Sequence, residues 1–165
     1  MKECYFAGGC FWCIAALIST LKGVNKIISG FSGGSEVNPS YEEVKKQLTS
    51  HRETIKVIYD EKIVSYEEIL KMFLDNIDPF DDEGQFIDRG HSYSPAIYYL
   101  DDFEKEAGKR YINEIEKENG KSCKVALEPF KTFYKAEEYH QDFHIKNPKK
   151  IEEEFALSGR KPLKR

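Results

Sequence analysis

The chain has 165 residues with 25 Lys and Arg against 29 Asp and Glu, a net charge of −4; this length suits one hydrophobic core, and this charge argues against a nucleic-acid or anionic-membrane footprint. Hydrophobic residues make up 40%, aromatic residues 13% and charged residues 33%, an ordinary soluble globular composition. No apolar run approaches the roughly 18 residues of a membrane span and none follows Met1, so a cytoplasmic protein is expected. There, four cysteines point to thiol chemistry or a metal rather than a disulfide scaffold.

In chain order, Glu3-Cys4-Tyr5-Phe6 reads as a strand that feeds Gly8-Gly9-Cys10-Phe11-Trp12-Cys13. Ile14, Leu17, Ile18 and Leu21 then recur at the spacing of a buried helix face, so Cys10 should open a helix. Asn25 to Phe31 reads as a strand ending in the turn Ser32-Gly33-Gly34. Ser40 and Glu43 form a capping-box pattern, which predicts a short helix from about Tyr41 to Leu48 with Tyr41 facing out of its first turn. Residues Glu53 to Tyr59 alternate as a strand, and Glu53 shares parity with the apolar set Ile55, Val57 and Tyr59.

Ser65 and Glu68 repeat the capping box before a helix carrying Ile69, Leu70, Met72 and Phe73 and ending near Ile77-Asp78-Pro79. Phe80 to Tyr93 is a long polar stretch, a length that inside compact domains is usually functional. Ser94 to Leu100 reads as a strand, Asp102 to Asn119 as a charged amphipathic helix, Cys123 to Leu127 and Phe130 to Tyr134 as strands, and Ala136 to Ile145 as a last helix. Without the short capped helix the order is β-α-β-β-α-β, a split β-α-β plait of the ferredoxin-like kind, α+β with an open mixed or antiparallel sheet. A doubly wound parallel sheet is the competitor. One catalytic domain over residues 1–148 is expected, followed by a C-terminal tail, 149–165, whose Arg160-Lys161 and Lys164-Arg165 read as a basic solvated end.

The hexapeptide places the chain's only tryptophan between its only closely spaced cysteines. At a helix start, unpaired N–H groups and the helix dipole favour an anion, which predicts a Cys10 thiol lowered from about 8.5 towards neutrality. Phe11 and Trp12 add aromatic surface suited to an apolar substrate with one polar atom. The plainer alternative is that free cysteine and a Phe-Trp pair are core; the Gly-Gly approach and the second thiol three residues on weigh against it. Glu53, if the pleat turns it inward, is desolvated and favours its protonated form, as a general acid requires; a solvated strand end is the alternative.

These residues resemble a known family. Gly8 to Cys13, Gly30-Phe31-Ser32-Gly33-Gly34, Asn38 to Val44, His51-Arg52-Glu53, Asp88 to Tyr98 and Ala136 to Gln141 are similar, in order and over about residues 4 to 148, to peptide methionine-S-sulfoxide reductase of the A type. The resemblance implies that Cys10 attacks the sulfoxide sulfur, that Glu53 gives a proton to its oxygen, and that Phe11 and Trp12 pack around the substrate methyl. It makes Tyr41 and Tyr93 partners of the oxygen, with Asp88 near the same pocket. It also implies a sulfenic acid on Cys10 that a second thiol resolves. The substrate would be methionine sulfoxide, free or in oxidised protein, and the partner thioredoxin or another thiol reductant. No cofactor or metal is called for, and a monomer is expected.

Departures from the family pattern bear on the resolving thiol. Many members carry glycine at Cys13 and glutamate at Ala15, whereas a subset shares the Cys-x-x-Cys form, and some use selenocysteine as the nucleophile. Cys13 is therefore put forward as the resolving thiol, with Cys123 competing. Ser94 stands where arginine is common, and Phe31 where tyrosine is. His140 and His51 read as structural. Two other functions compete: a general dithiol-disulfide oxidoreductase, which gives Glu53 and the tyrosines no task, and a zinc module of Cys4, Cys10, Cys13 and Cys123 or a histidine, which has one close ligand pair where two are usual.

Overall fold

The computed structural model describes residues 1–158. Strands β1 (Lys2–Ala7), β2 (Val24–Ser32) and β3 (Arg52–Tyr59) alternate with helices α1 (Phe11–Ile18), α2 (Tyr41–Lys45) and α3 (Tyr66–Asp75). A small hairpin, β4 (Gly84–Gln85) with β5 (Asp88–Arg89), and a 3-10 turn at His91–Tyr93 lead to β6 (Ala96–Tyr99), α4 (Asp102–Asn119), β7 (Ala126–Pro129) and β8 (Phe133–Lys135). A second 3-10 turn, Glu138–His140, precedes α5 (Phe143–Lys146) and α6 (Pro148–Ser158).

The fold is α+β. Six strands form one mixed sheet in the order β7-β6-β1-β3-β2-β8. β3 returns antiparallel between β1 and β2, and β6 and β8 are antiparallel to their inner neighbours, so that β6 with β7 is the parallel pair among the described residues. The doubly wound parallel alternative is overturned by that antiparallel return.

Alternation along β1 shows how the sheet is covered. Cys4 and Phe6 point into the main core, which holds Ile55, Val57, Ile69, Leu70 and Phe73. Tyr5 and Ala7 point the other way, into a smaller cluster with Ala96 and Tyr98 that Phe130 and Phe133 cover, the Tyr5 ring stacking on Phe130 at 4.1 Å. With both faces of the middle strands closed, a polar side chain on them is desolvated unless it finds a partner.

Local signals explain most element ends. The full capping box forms at Ser40 and Glu43, and at the start of α3 the Ser65 hydroxyl accepts from Glu68 N–H. Helix α4 runs over the predicted residues, capped by Asp101 and closed by Gly120 at φ 63°. Helix α2 stops short of Leu48 because Gln47 turns left-handed, φ 61°, while Leu48 N–H donates to Glu43 O and Gln47 N–H to Val44 O.

Three expectations are corrected. The last helix does not span Ala136 to Ile145: the Gln141 side-chain amide donates to Ser29 O and Ala136 O and its oxygen accepts from Ser29 N–H, and Asp142 turns left-handed, so the segment breaks into a 3-10 turn and α5. The stretch set aside as a tail begins with helix α6, because Ile151 and Phe155, four apart, share the face buried in the main core. The strand expected from Cys123 starts at Ala126, since the N–H groups of Cys123 and Lys124 donate instead to Glu116 and Pro79. The basic end, Arg160 to Arg165, lies outside the described residues.

Candidate active site

The loop after β1 carries the thiols. Gly9 adopts φ 80°, open to glycine at little cost, and its N–H donates to Tyr93 O at 3.0 Å. Cys10 caps α1, its carbonyl accepting from Cys13 N–H at 3.1 Å and Ile14 N–H at 3.3 Å. Both thiols are free and buried, with the Cys13 side chain acting on the Cys10 thiol as a hydrogen-bonding neighbour.

That environment reverses one expectation. The Cys10 thiol is held well above its ordinary value, first by its bond to Cys13, then by burial and by Glu53 and Asp88 nearby. The dipole of a two-turn helix, screened within its first turn, does not outweigh desolvation and two neighbouring carboxyl groups. Cys10 therefore rests as a thiol.

Glu53 lies opposite Phe31 in the β2–β3 ladder and is 1% exposed, turned towards the core like Ile55 and Val57. Its Oε1 accepts from Phe11 N–H at 3.2 Å, which ties the acid to the residue after Cys10. Its Oε2 is buried with no hydrogen-bond partner. Burial raises its pKa to about 8, with Asp88 adding to the rise and the Phe11 N–H, the Tyr93 hydroxyl and Lys45 opposing it. At neutral pH the carboxyl is mostly protonated, with a proton to give.

Tyr41 and Tyr93 face the same acid, and both hydroxyls are held protonated by burial and then by Glu53. Asp88, on β5, acts on Cys10, Glu53 and both tyrosines. The long polar stretch thus folds back over the Cys10 loop, held by the two-pronged pair of Arg89 with Asp81 and by Gln85, whose side chain bonds Asp78 and Asp81.

Aromatic rings close the remaining side. Phe11 is 1% exposed and packs against Phe31 and Tyr41 at centroid distances of 5.9 and 6.0 Å. Trp12 is half-buried, stacked on Phe143 at 3.8 Å and 6°. Its indole N–H donates to His140 Nδ1 at 3.2 Å, which requires that nitrogen to be unprotonated, and burial lowers the His140 pKa accordingly. Tyr41 packs against His140 at 4.1 Å rather than facing out of its helix.

The structure thus brings together Cys10, Cys13, Glu53, Tyr41, Tyr93, Asp88, Phe11 and Trp12. Cys123 stands apart, beyond the end of α4 with its N–H on Glu116, whereas the Cys13 side chain neighbours the Cys10 thiol. All four cysteines are described, and they do not converge with histidines or acids into a group able to hold a metal, which leaves the zinc-module alternative without a site. His51 is structural: buried, its Nδ1 accepts from Gly34 N–H at 3.1 Å and its Nε2 lies 2.7 Å from Glu36 O. Ser94 accepts from Arg52 Nε at 2.9 Å, and the Gln47 side chain bonds Ser92; the sequence carries no signal for either contact.

Known proteins are similar to this chain over nearly its whole length. A sequence model of the family described as peptide methionine sulfoxide reductase matches residues 2–164. Peptide methionine sulfoxide reductase MsrA 2 of Staphylococcus aureus is 40% identical over 157 residues, covering 94% of this chain and 89% of that protein. The structure of Mxr1 from Saccharomyces cerevisiae in reduced form superposes with a TM-score of 0.82 at 28% identity, covering 89% of this chain and 86% of that one. Mxr1 in complex with Trx2 shares the fold, with a TM-score of 0.58 at 20% identity over 84% of this chain and 83% of that one. The chain belongs to the peptide methionine sulfoxide reductase family.

Proposed function

We propose that the protein reduces methionine-S-sulfoxide, free or in oxidised proteins, with Cys10 as nucleophile and Glu53 as proton donor. The observation that carries this reading is the buried, partnerless Oε2 of a mostly protonated Glu53 beside a paired thiol. Cys10 Sγ attacks the sulfoxide sulfur while Glu53 protonates the oxygen, and the thiol proton replenishes Glu53. The oxygen then passes to Cys10 Sγ as the substrate S–O bond and the transient sulfur–sulfur bond break, which releases methionine and leaves Cys10 as a sulfenic acid. The Cys13 thiol attacks that sulfur, a Cys10–Cys13 disulfide forms, and water leaves with the oxygen.

Tyr41 and Tyr93, held protonated, donate hydrogen bonds to the oxygen, and Asp88 helps keep Glu53 protonated. The rings of Phe11 and Trp12 line the apolar side of the pocket, where the methyl group sits. A dithiol reductant such as thioredoxin then exchanges with the disulfide. We read β6-β1-β3-β2 as the split β-α-β plait, with β7 and β8 added at its edges, and assign the chemistry to residues 1–148. Four free thiols suit a reducing compartment such as the cytoplasm.

Mass mapping after one turnover tests the thiol assignment. A Cys10–Cys13 disulfide is expected, and a Cys10–Cys123 linkage would overturn it.

A further inference from the structure

We infer that Gln47 and Arg52 are positioning residues that clamp Tyr93 from its two sides and set its hydroxyl at Glu53. This inference rests on the proposed role of Tyr93 in sulfoxide reduction. Gln47 follows helix α2, which begins at Tyr41, and Arg52 opens β3 one residue before Glu53.

Both neighbours of Tyr93 are tied. Gln47 Nε2 donates to Ser92 Oγ at 2.7 Å, and Ser92 N–H donates back to Gln47 Oε1 at 3.0 Å. Arg52 Nε donates to Ser94 Oγ at 2.9 Å, and that hydroxyl donates to His91 O at 2.7 Å. Ser92 and Ser94 are 1% and 3% exposed, so little water is available to replace a lost partner. The Tyr93 carbonyl itself accepts from Gly9 N–H. The segment carrying Tyr93 is thereby fastened to the Cys10 loop, to the end of the Tyr41 helix and to the Glu53 strand.

Backbone strain supports a specific task for Gln47. It occupies the left-handed position that closes a helix, φ 61°, where glycine is favoured and a side chain carries a penalty. Its amide packs against Gly90, where a Cβ would come within 2.6 Å of it. A glycine at 47 would relieve the strain and keep the helix end, yet could not reach Ser92. Arg52 is held in turn by Tyr98 and Glu128, so its guanidinium offers Ser94 a fixed donor.

Gln47→Gly separates positioning from stability. In single-turnover reduction of methionine-S-sulfoxide by the full-length protein, we expect Gln47→Gly to stay folded and to react about tenfold more slowly at saturating substrate. Half-saturation should stay within about twofold, because displacing a reacting group by a fraction of an ångström mainly affects the chemical step. Ser94→Ala, which removes the Arg52 acceptor together with the bond to His91 O, should slow the chemical step in the same way. In a Tyr93→Phe background neither change should slow the reaction further, since the hydroxyl they position is gone. A wild-type rate in Gln47→Gly, or a full additional loss on top of Tyr93→Phe, would overturn the inference. Absence of sulfoxide reduction by the wild-type protein would instead overturn the proposed function.

Discussion

Two buried pairs of cysteine and glutamate occupy this molecule, and they teach different things. Cys10 with Glu53 lies at the Cys10 loop; Cys4 with Glu104 lies where β1 meets the start of α4. Cys13 and burial raise the Cys10 thiol, burial raises the Cys4 thiol, and burial raises Glu53 to about 8 and Glu104 to about 7. Perturbed titration alone therefore does not mark the site. Glu104 accepts from Leu100 N–H while its own N–H is capped by Asp101, so its carboxyl belongs to a helix start. Glu53 has one oxygen bound by Phe11 and one with no partner, two tyrosines, and a Cys10 thiol that touches a second thiol. An orphaned acceptor and a second sulfur distinguish chemistry from structure here.

The sharpest way to break this contrast is to exchange the sulfurs. Cys10→Ser should lose at least about 10³-fold in single-turnover reduction. Cys4→Ala should keep the rate within about twofold and lose about 1–2 kcal/mol of stability in denaturant unfolding. Next come the acids. Glu53→Gln should slow the chemical step by about 10²-fold, whereas Glu104→Gln should not slow it measurably in the same assay.

Cys13→Ser should release one methionine per protein at near the wild-type rate but lose about tenfold or more in turnover with a dithiol reductant, measured by continuous methionine release. The smallest effect concerns pH. Both acids have folded pKa values above the unfolded value of about 4.3, so each stabilises fully below that pH. That contribution is lost as pH rises through about 7 for Glu104 and about 8 for Glu53. Thermal melts from pH 5 to 9 should therefore show Tm falling with pH, and either Gln substitution should flatten the fall. The single-turnover rate should decline above about pH 8 in Glu104→Gln as in wild type.

Much of this was legible in the sequence where the signals are local. Capping boxes placed the starts of α2 and α3, Asp101 and Gly120 bracket α4, and strand parity turned Glu53 inward. What escaped depends on long-range contact. Gln141 abandons a helix to bond Ser29, 112 residues away, and His140 receives the Trp12 indole across 128 residues. The raised Cys10 thiol shares this origin in part: Cys13 is local, but the burial and the nearby Glu53 and Asp88 come from other segments. Gln47 was illegible for a further reason, since nothing in its neighbours announces a left-handed glutamine.

In the proposed chemistry Cys10 takes the oxygen of methionine-S-sulfoxide and Cys13 removes it. Single-turnover reaction of the reduced protein with the separated S and R epimers, counting methionine formed and thiols lost, tests it most directly. One methionine and two lost thiols are expected with the S epimer and neither with the R epimer. Equal use of both epimers, or methionine formed with no loss of thiols, would contradict it.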